Sequence, residues 1–168
     1  MEPRRVRTYE FVARPYEAVR DALQGDALGI FQRATVAAAR RTDELVTTLR
    51  MDVGPVELGA DVRVRVHGLS EKKVGESTTA ALSVSWEAVR NVLLFPSMTA
   101  ELRVHQLTDG ESQLDFDGRY FPPFGALGTV IDAAAGHRIV EATVHRFLRE
   151  VATRLEAELP PPQVTLRQ

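Results

Sequence analysis

The stretch from Glu101 to Pro123, ELRVHQLTDGESQLDFDGRYFPP, decides the fold. Leu102, Val104 and Gln106 alternate with Glu101, Arg103 and His105, the period of two that belongs to a half-buried strand. Asp109-Gly110 carries hairpin-turn chemistry, and Leu114, Phe116, Gly118 and Tyr120 then face inward along a second strand. A two-residue loop would set inward residues against outward ones, so face matching predicts a three-residue loop. Two registers satisfy that condition. With Thr108-Asp109-Gly110 as the loop, glycine takes the left-handed bulge position and Arg103 opposes Asp115. With Asp109-Gly110-Glu111, Glu101 meets Arg119, Arg103 meets Asp117 and His105 meets Asp115. Both leave Arg103 outside, beside an aspartate. Pro122-Pro123 ends the run, because proline cannot donate to a ladder.

The same period extends upstream. Leu45, Thr47, Leu49, Met51 and Val53 alternate from Glu44, and Gly54-Pro55 signals a turn. Val62, Val64 and Val66 alternate with Arg63, Arg65 and His67; Leu82, Val84, Trp86 and Ala88 alternate with Ser83, Ser85 and Glu87. Gly54, Gly59 and Gly68 read as turn or bulge glycines. Ahead of this meander, Arg4 to Ala13 reads as a strand. Pro15 opens a short helix with Tyr16, Val19 and Leu23 on one face, Gly25 stops it, and a second helix is expected from Ala27 to Arg41. Downstream, a helix is expected from about Phe124 to Leu159, bent at Gly136.

The order is β-α-α-β(5–6)-α. Consecutive antiparallel strands followed by one amphipathic helix predict an α+β domain with that helix laid on the sheet. Residues 1–159 form one domain in this reading, and the proline-rich segment 160–168 is a flexible tail. The chain has 168 residues, 44% hydrophobic and 26% charged, enough for a single core without a disulfide or metal. Zero cysteines exclude thiolate catalysis, Cys-ligated zinc and iron–sulfur clusters. A net charge of −2 without a basic stripe argues against nucleic acid as a partner. Met1 to Pro15 lacks the apolar run of a signal peptide. Val92 to Phe95, the longest mid-chain apolar run, is far too short to span a bilayer. The expectation is a cytoplasmic, soluble protein without integral membrane association.

With this order established, the chain resembles the START/Bet v 1-like superfamily (the SRPBCC group). The resemblance rests on the first strand running into Pro15-Tyr16-Glu17-Ala18-Val19, on the alternating meander and on the terminal helix, and it covers residues 4–158. Trp86-Glu87, Phe95-Pro96, Gly118-Arg119-Tyr120-Phe121-Pro122-Pro123-Phe124-Gly125 and Leu127-Gly128 look like a bacterial subgroup of uncharacterised members. The resemblance implies a helix-grip fold: a curved antiparallel sheet wrapped around the long C-terminal helix, with a cavity between them for an apolar ligand. Members include lipid carriers, plant hormone receptors and polyketide aromatase/cyclases, so fold alone leaves function open.

No nucleophile elbow, Walker A loop or dinucleotide fingerprint is present. His67 and His105 alternate with inward apolar residues and so point outward. On the terminal helix, Leu127, Val130, Ala134, Val144, Leu148, Val151, Ala152, Leu155 and Leu159 form an apolar stripe at 100° per residue. Glu141 falls near the centre of that stripe, His137 inside it and His145 near its edge. The outer two of His137-x3-Glu141-x3-His145 stand ~12 Å apart along the helix and cannot share an ion. No metal and no cofactor are therefore expected. Glu141 has two readings: either an ion pair with an arginine such as Arg138 or Arg33 or a place at a wet cavity mouth, or else a polar anchor inside an apolar pocket.

The leading expectation is non-covalent binding of a small apolar or amphipathic molecule, such as a lipid or polyketide. Its wall candidates are Phe31, Met51, Val64, Leu82, Trp86, Met98, Leu102, Tyr120, Phe124, Leu127, Ile131, His137, Glu141 and His145. The alternative is a cyclase- or dehydratase-type enzyme using Glu141 and a histidine as acid and base. A third class is a protein-interaction module, and a homodimer is compatible with each.

Overall fold

The structure, a computed structural model, describes residues 2–40, 44–53, 56–75, 77–89, 97–121 and 133–162, with their side chains except at 36–40, 44–53, 56–60, 74 and 133–135. Seven strands form one sheet: β1 (Arg4–Val12), β2 (Val36–Arg40), β3 (Glu44–Val53), β4 (Val56–Val74), β5 (Ser77–Ala88), β6 (Met98–Thr108) and β7 (Glu111–Tyr120). Helix α1 (Tyr16–Ala34) joins β1 to β2, and α2 (Ala133–Glu158) follows β7. The spatial order is β1-β7-β6-β5-β4-β3-β2, and every neighbouring pair is antiparallel. β1 and β2 thus hold opposite edges, and α1 carries the chain between them. α2 touches β1 and β7 near one edge and β3 near the other. A sheet meets one helix from both sides only by curling around it. The architecture is the α+β helix-grip arrangement.

The alternation read from the sequence sorts the two faces. Val62, Val64, Leu82, Val84, Trp86, Ala88, Leu102, Val104, Leu114, Phe116 and Tyr120 are all buried. They form one core with Val144, Leu148, Val151 and Leu155 of α2. Val66 is only half-buried, because the β4–β5 register slips between Val66 and Leu69. Gly68 sits in that bulge at φ 110°, a conformation that costs a side-chain-bearing residue about 1–2 kcal/mol. The expected bulge at Gly68 is therefore present, whereas Gly59 pairs in register with Arg50. Gly54-Pro55 lies outside the described residues. Gln106, read as inward, is exposed near the end of β6.

Three further readings are corrected. The second helix stops at Ala34, not Arg41, and residues Val36–Arg40 form edge strand β2. The β-branched pair Thr35-Val36 marks the change: Thr35 is extended, and its hydroxyl donates to the Phe31 carbonyl at 2.8 Å. The two expected helices are also one element with a break at Asp26 (φ −152°, ψ 53°). There the Asp26 carboxylate accepts from the Gly29 N–H at 3.1 Å, capping the second half. The β6–β7 connection, finally, is a two-residue turn with Thr108 opposite Glu111. Face matching is restored by a register shift between Gln106 and Thr108 rather than by a longer loop, and Gly110 does not adopt positive φ. Arg103 pairs with Asp115 in register, and its guanidinium lies 3.7 Å from Asp117 on the outer face.

The C-terminal end of α2 is clasped by the β1–α1 corner. Arg14 donates to the backbone carbonyls of Glu156 and Leu159, satisfying acceptors that a helix end leaves open. Glu156 accepts from the Ala13 N–H at 2.7 Å, and Arg33 forms a two-pronged pair with Glu158 at 2.6 and 2.8 Å. The start of the expected helix, residues 124–132, lies outside the described residues. Of the expected tail, residues 160–162 are described, with Pro162 against Gly110 of the turn. No helix among the described residues is long and apolar enough to cross a membrane.

On the outer face, Asp117 is a well-shielded charge. Arg5 meets it at 2.6 and 2.8 Å, Arg7 at 3.0 and 3.2 Å, and its side chain is only 9% exposed. The Arg5 and Arg7 guanidiniums hold its carboxyl well below the usual carboxylate range, against the opposing effect of burial. A depressed folded-state pKa gives stability that is complete above the unfolded aspartate range and lost as pH falls. Asp117→Asn is therefore expected to cost about 1–2 kcal/mol at neutral pH. The gap between variant and wild type should narrow steadily below about pH 4. Denaturant melts of both proteins from neutral pH downward read the gap; a gap independent of pH would contradict this role.

Candidate functional site

The inner face of the sheet places an aromatic cluster under α2. Trp86 of β5 stacks on Phe116 of β7 at 5.6 Å between ring centroids and meets Phe147 of α2 edge-on at 6.3 Å. Phe147 in turn meets Phe31 of α1 edge-on at 5.4 Å. Side chains from four elements thus form one aromatic cluster, with Phe116 and Phe147 against the indole and Phe31 behind Phe147. The Trp86 ring N–H is buried and has no hydrogen-bond partner among the described residues. A buried donor without an acceptor costs about 1–3 kcal/mol, so this group needs an explanation.

A polar chain leads from this interior to the surface. Tyr120 is 2% exposed, and its hydroxyl lies 2.8 Å from Nδ1 of His137 on the first turns of α2. The two rings stack at 6.1 Å. Nε2 of His137 lies 3.2 Å from the Glu141 carboxylate. If Tyr120 donates to Nδ1, the Nε2–H is left to donate to Glu141. Burial pushes the Tyr120 hydroxyl up, the Glu141 charge adds to this, and nearby Arg4 opposes both. The chain Tyr120–His137–Glu141 therefore joins a buried hydroxyl to an exposed carboxylate through one imidazole, an arrangement able to move a proton across the wall of the domain.

Of the expected wall residues, Phe31, Val64, Leu82, Trp86, Met98, Leu102 and Tyr120 share the buried layer. Phe124, Leu127 and Ile131 lie outside the described residues, as does the Met51 side chain. Glu141 does not sit mid-stripe. The buried face of α2 centres on Val140, Val144, Leu148, Val151 and Leu155, leaving Glu141 on the flank with its side chain 49% exposed. Its partner is His137, not Arg138 or Arg33. His145 also points away from the interior: Nε2 lies 2.9 Å from Glu10 of β1, and Arg149 donates to Nδ1 at 3.2 Å. The outward reading of the strand histidines holds, with His67 on Ser85 at 2.7 Å and His105 on Asp115 at 2.9 Å. Among the described residues no three His, Asp or Glu side chains are grouped to hold a metal ion. Phe116 and Phe147 were not among the wall candidates. Phe147 was findable, since it lies three residues after Val144 and four before Val151.

An opening lies where the α1 break faces the β4 bulge. Leu23, Gln24, Asp26, Leu28, Gly68 and Leu82 border a hollow of about 360 Å³ there. It reaches from the surface to buried Leu23, Leu28 and Leu82.

No protein-family model matches the chain, and no curated protein matches it in sequence. Its structure, however, is similar to many solved ones. A protein from Thermus thermophilus aligns over 94% of this chain and 100% of its own, with 11% identity and a TM-score of 0.54. Norcoclaurine synthase from Thalictrum flavum, solved with dopamine and hydroxybenzaldehyde, aligns over 95% and 90%, with 8% identity and a TM-score of 0.53. The Zhui aromatase/cyclase from a Streptomyces species aligns over 95% and 97%, with 17% identity and a TM-score of 0.50. At these identities the likeness establishes the fold, which is that of the START/Bet v 1-like proteins.

Proposed function

We propose that this protein binds a small apolar or amphipathic molecule between the sheet and α2, with a hydrogen-bond acceptor of the ligand facing Trp86. The observation that carries the reading is the Trp86 ring N–H, buried without a partner among the described residues, on an indole that packs against Phe116 and Phe147. A mostly apolar wall with one aimed polar group is the usual make-up of a small-molecule site. Phe31, Val64, Leu82, Met98, Leu102 and Tyr120 would supply the apolar wall, and His137 the rim. The fold supports this, since norcoclaurine synthase was solved with two small aromatic molecules bound. Native mass spectrometry of protein purified from its own host tests the proposal. A co-purified small molecule, released when the protein unfolds, is expected; ligand-free protein that also rejects added apolar probes would refute it.

The Tyr120–His137–Glu141 chain favours a second reading, acid/base catalysis on the bound molecule, with Tyr120 as the group facing it. In a dehydration Tyr120 would protonate the departing hydroxyl while a base removes the proton from the adjacent carbon. The resemblance to an aromatase/cyclase fits this chemistry. Wild type and Tyr120→Phe would then retain molecules differing in mass by one water.

A further inference from the structure

Helix α1 and strand β4 are each interrupted where they face one another. The helix breaks at Asp26, and the β4–β5 ladder slips between Val66 and Leu69, where His67 and Gly68 stand against the single residue Ser83. The hollow of about 360 Å³ between the two interruptions is open at both. Apart from the adjoining chain, no atom lies within 4 Å of where a Cβ would stand at Gly25 or at Gly68. We infer that this hollow is the entrance through which an apolar molecule reaches the proposed interior site, widened by flexing of α1 at Asp26. The inference rests on that interior site.

The two halves of α1 are tied to different parts of the fold. Ahead of the break, Tyr16 donates to Glu71 of β4 at 2.8 Å, and Arg20 donates to the same carboxylate at 3.0 Å. Beyond it, Phe31 packs on Phe147 of α2, and Arg33 forms its two-pronged pair with Glu158. The first half therefore follows β4 and the second follows α2. A break between two such bodies absorbs a change of angle in the φ and ψ of one or two residues, as hinges do. Facing it, the bulge interrupts the ladder that would otherwise stiffen β4 at this point. Separating the halves widens the hollow, and neither wall has to give up an unbroken run of backbone hydrogen bonds.

The lining fits an uncharged passenger. Its floor is Leu23, Leu28 and Leu82, all buried, with Val66 and Leu69 beside them. Leu82 is also part of the proposed interior wall. Leu28 lies one turn before Phe31 on α1, and Phe31 leads through Phe147 to Trp86. Of the described residues bordering the hollow only Asp26 is charged, and its carboxylate is turned to the Gly29 N–H at 3.1 Å and to Arg33 at 3.6 Å. An apolar molecule thus displaces no unpaired ion on this path. The volume falls within the ~300–1,000 Å³ of small-molecule pockets, enough to hold a ring system in passage.

Plugging the hollow on the full chain tests the route. The chain has no cysteine, so Gln24→Cys gives one thiol on the exposed rim, to be coupled to a bulky maleimide of short polyethylene glycol. Stopped-flow mixing with phenylnaphthylamine then reads entry, and dilution reads exit, through energy transfer from Trp86. A plug on the path alters neither the free nor the bound state. Association and dissociation should therefore slow by the same factor, about tenfold or more, with Kd held within about twofold. Arg138→Cys, coupled to the same maleimide beside His137, should leave both rates within about twofold. Unchanged rates with the Gln24 plug overturn the inference, as does equal slowing by the plug at Arg138, which assigns entry to that end of α2. A weaker Kd with unchanged dissociation also overturns it, since the plug would then occupy the site itself. Saturable binding that is absent even from the unlabelled protein overturns the interior site, and the route with it.

Discussion

Leu148→Ala is expected to destabilise the protein by about 2–5 kcal/mol. Leu148 is fully buried midway along α2, on the face it shares with Val144, Val151 and Leu155. The helix is held at its C-terminal end by Arg14, Ala13 and Arg33, and on its buried face by apolar packing against a sheet that curls around it. Truncation removes apolar atoms from that packing and leaves a void that neither the sheet nor the clasped helix can close. Chemical denaturation of both proteins checks the value. A loss below about 1 kcal/mol would mean that the interior collapses freely, as a loosely packed core does.

Trp86→Phe is expected to separate binding from stability. The change deletes the unpartnered N–H, which favours the fold, and leaves a smaller ring in the cluster, which opposes it. The two effects are of similar size, so stability should stay within about 1 kcal/mol of wild type. Binding should divide by ligand chemistry. Prodan, a neutral naphthalene ketone, can accept from the indole and should bind about 3- to 10-fold more weakly to the variant, the worth of one neutral hydrogen bond. Phenylnaphthylamine has no carbonyl acceptor and should bind both proteins within about twofold. Equal weakening of the two probes would show that Trp86 acts by volume alone.

The sheet was legible because its signal is local. Period-two alternation in Val62–Val66, Leu82–Ala88 and Leu114–Tyr120 assigns each residue to a face wherever the strands eventually pair. What escaped depends on partners distant in sequence. Val36–Arg40 has neither the alternation nor the bulk of the other strands; its alanines suit a helix, and only pairing with β3 makes it a strand. The hairpin shift between Gln106 and Thr108 is invisible to a rule that lets loop length alone set register. Glu141 was misplaced for a related reason. Helical angle fixed its position relative to Val144 and Leu148, but which side of that stripe is covered depends on how α2 lies against β1. Glu141 shares a flank of α2 with His145 and Arg149 but lies nearer the start of the helix; those two meet Glu10 of β1, whereas Glu141 pairs with His137 and stays half-exposed. The Tyr120–His137 contact joins a strand and a helix across a segment of chain, so no spacing rule could have announced it.

The central claim, an interior site beside Trp86, is tested most directly by fluorescence. Trp86 is the single tryptophan of the chain, so its emission reports that one place. Titrating the native protein with phenylnaphthylamine should quench tryptophan emission in a saturable 1:1 curve, with matching energy transfer to the probe, both lost on unfolding in denaturant. Quenching that rises linearly without saturating, as it does for free tryptophan in solution, would contradict a binding site between the sheet and α2.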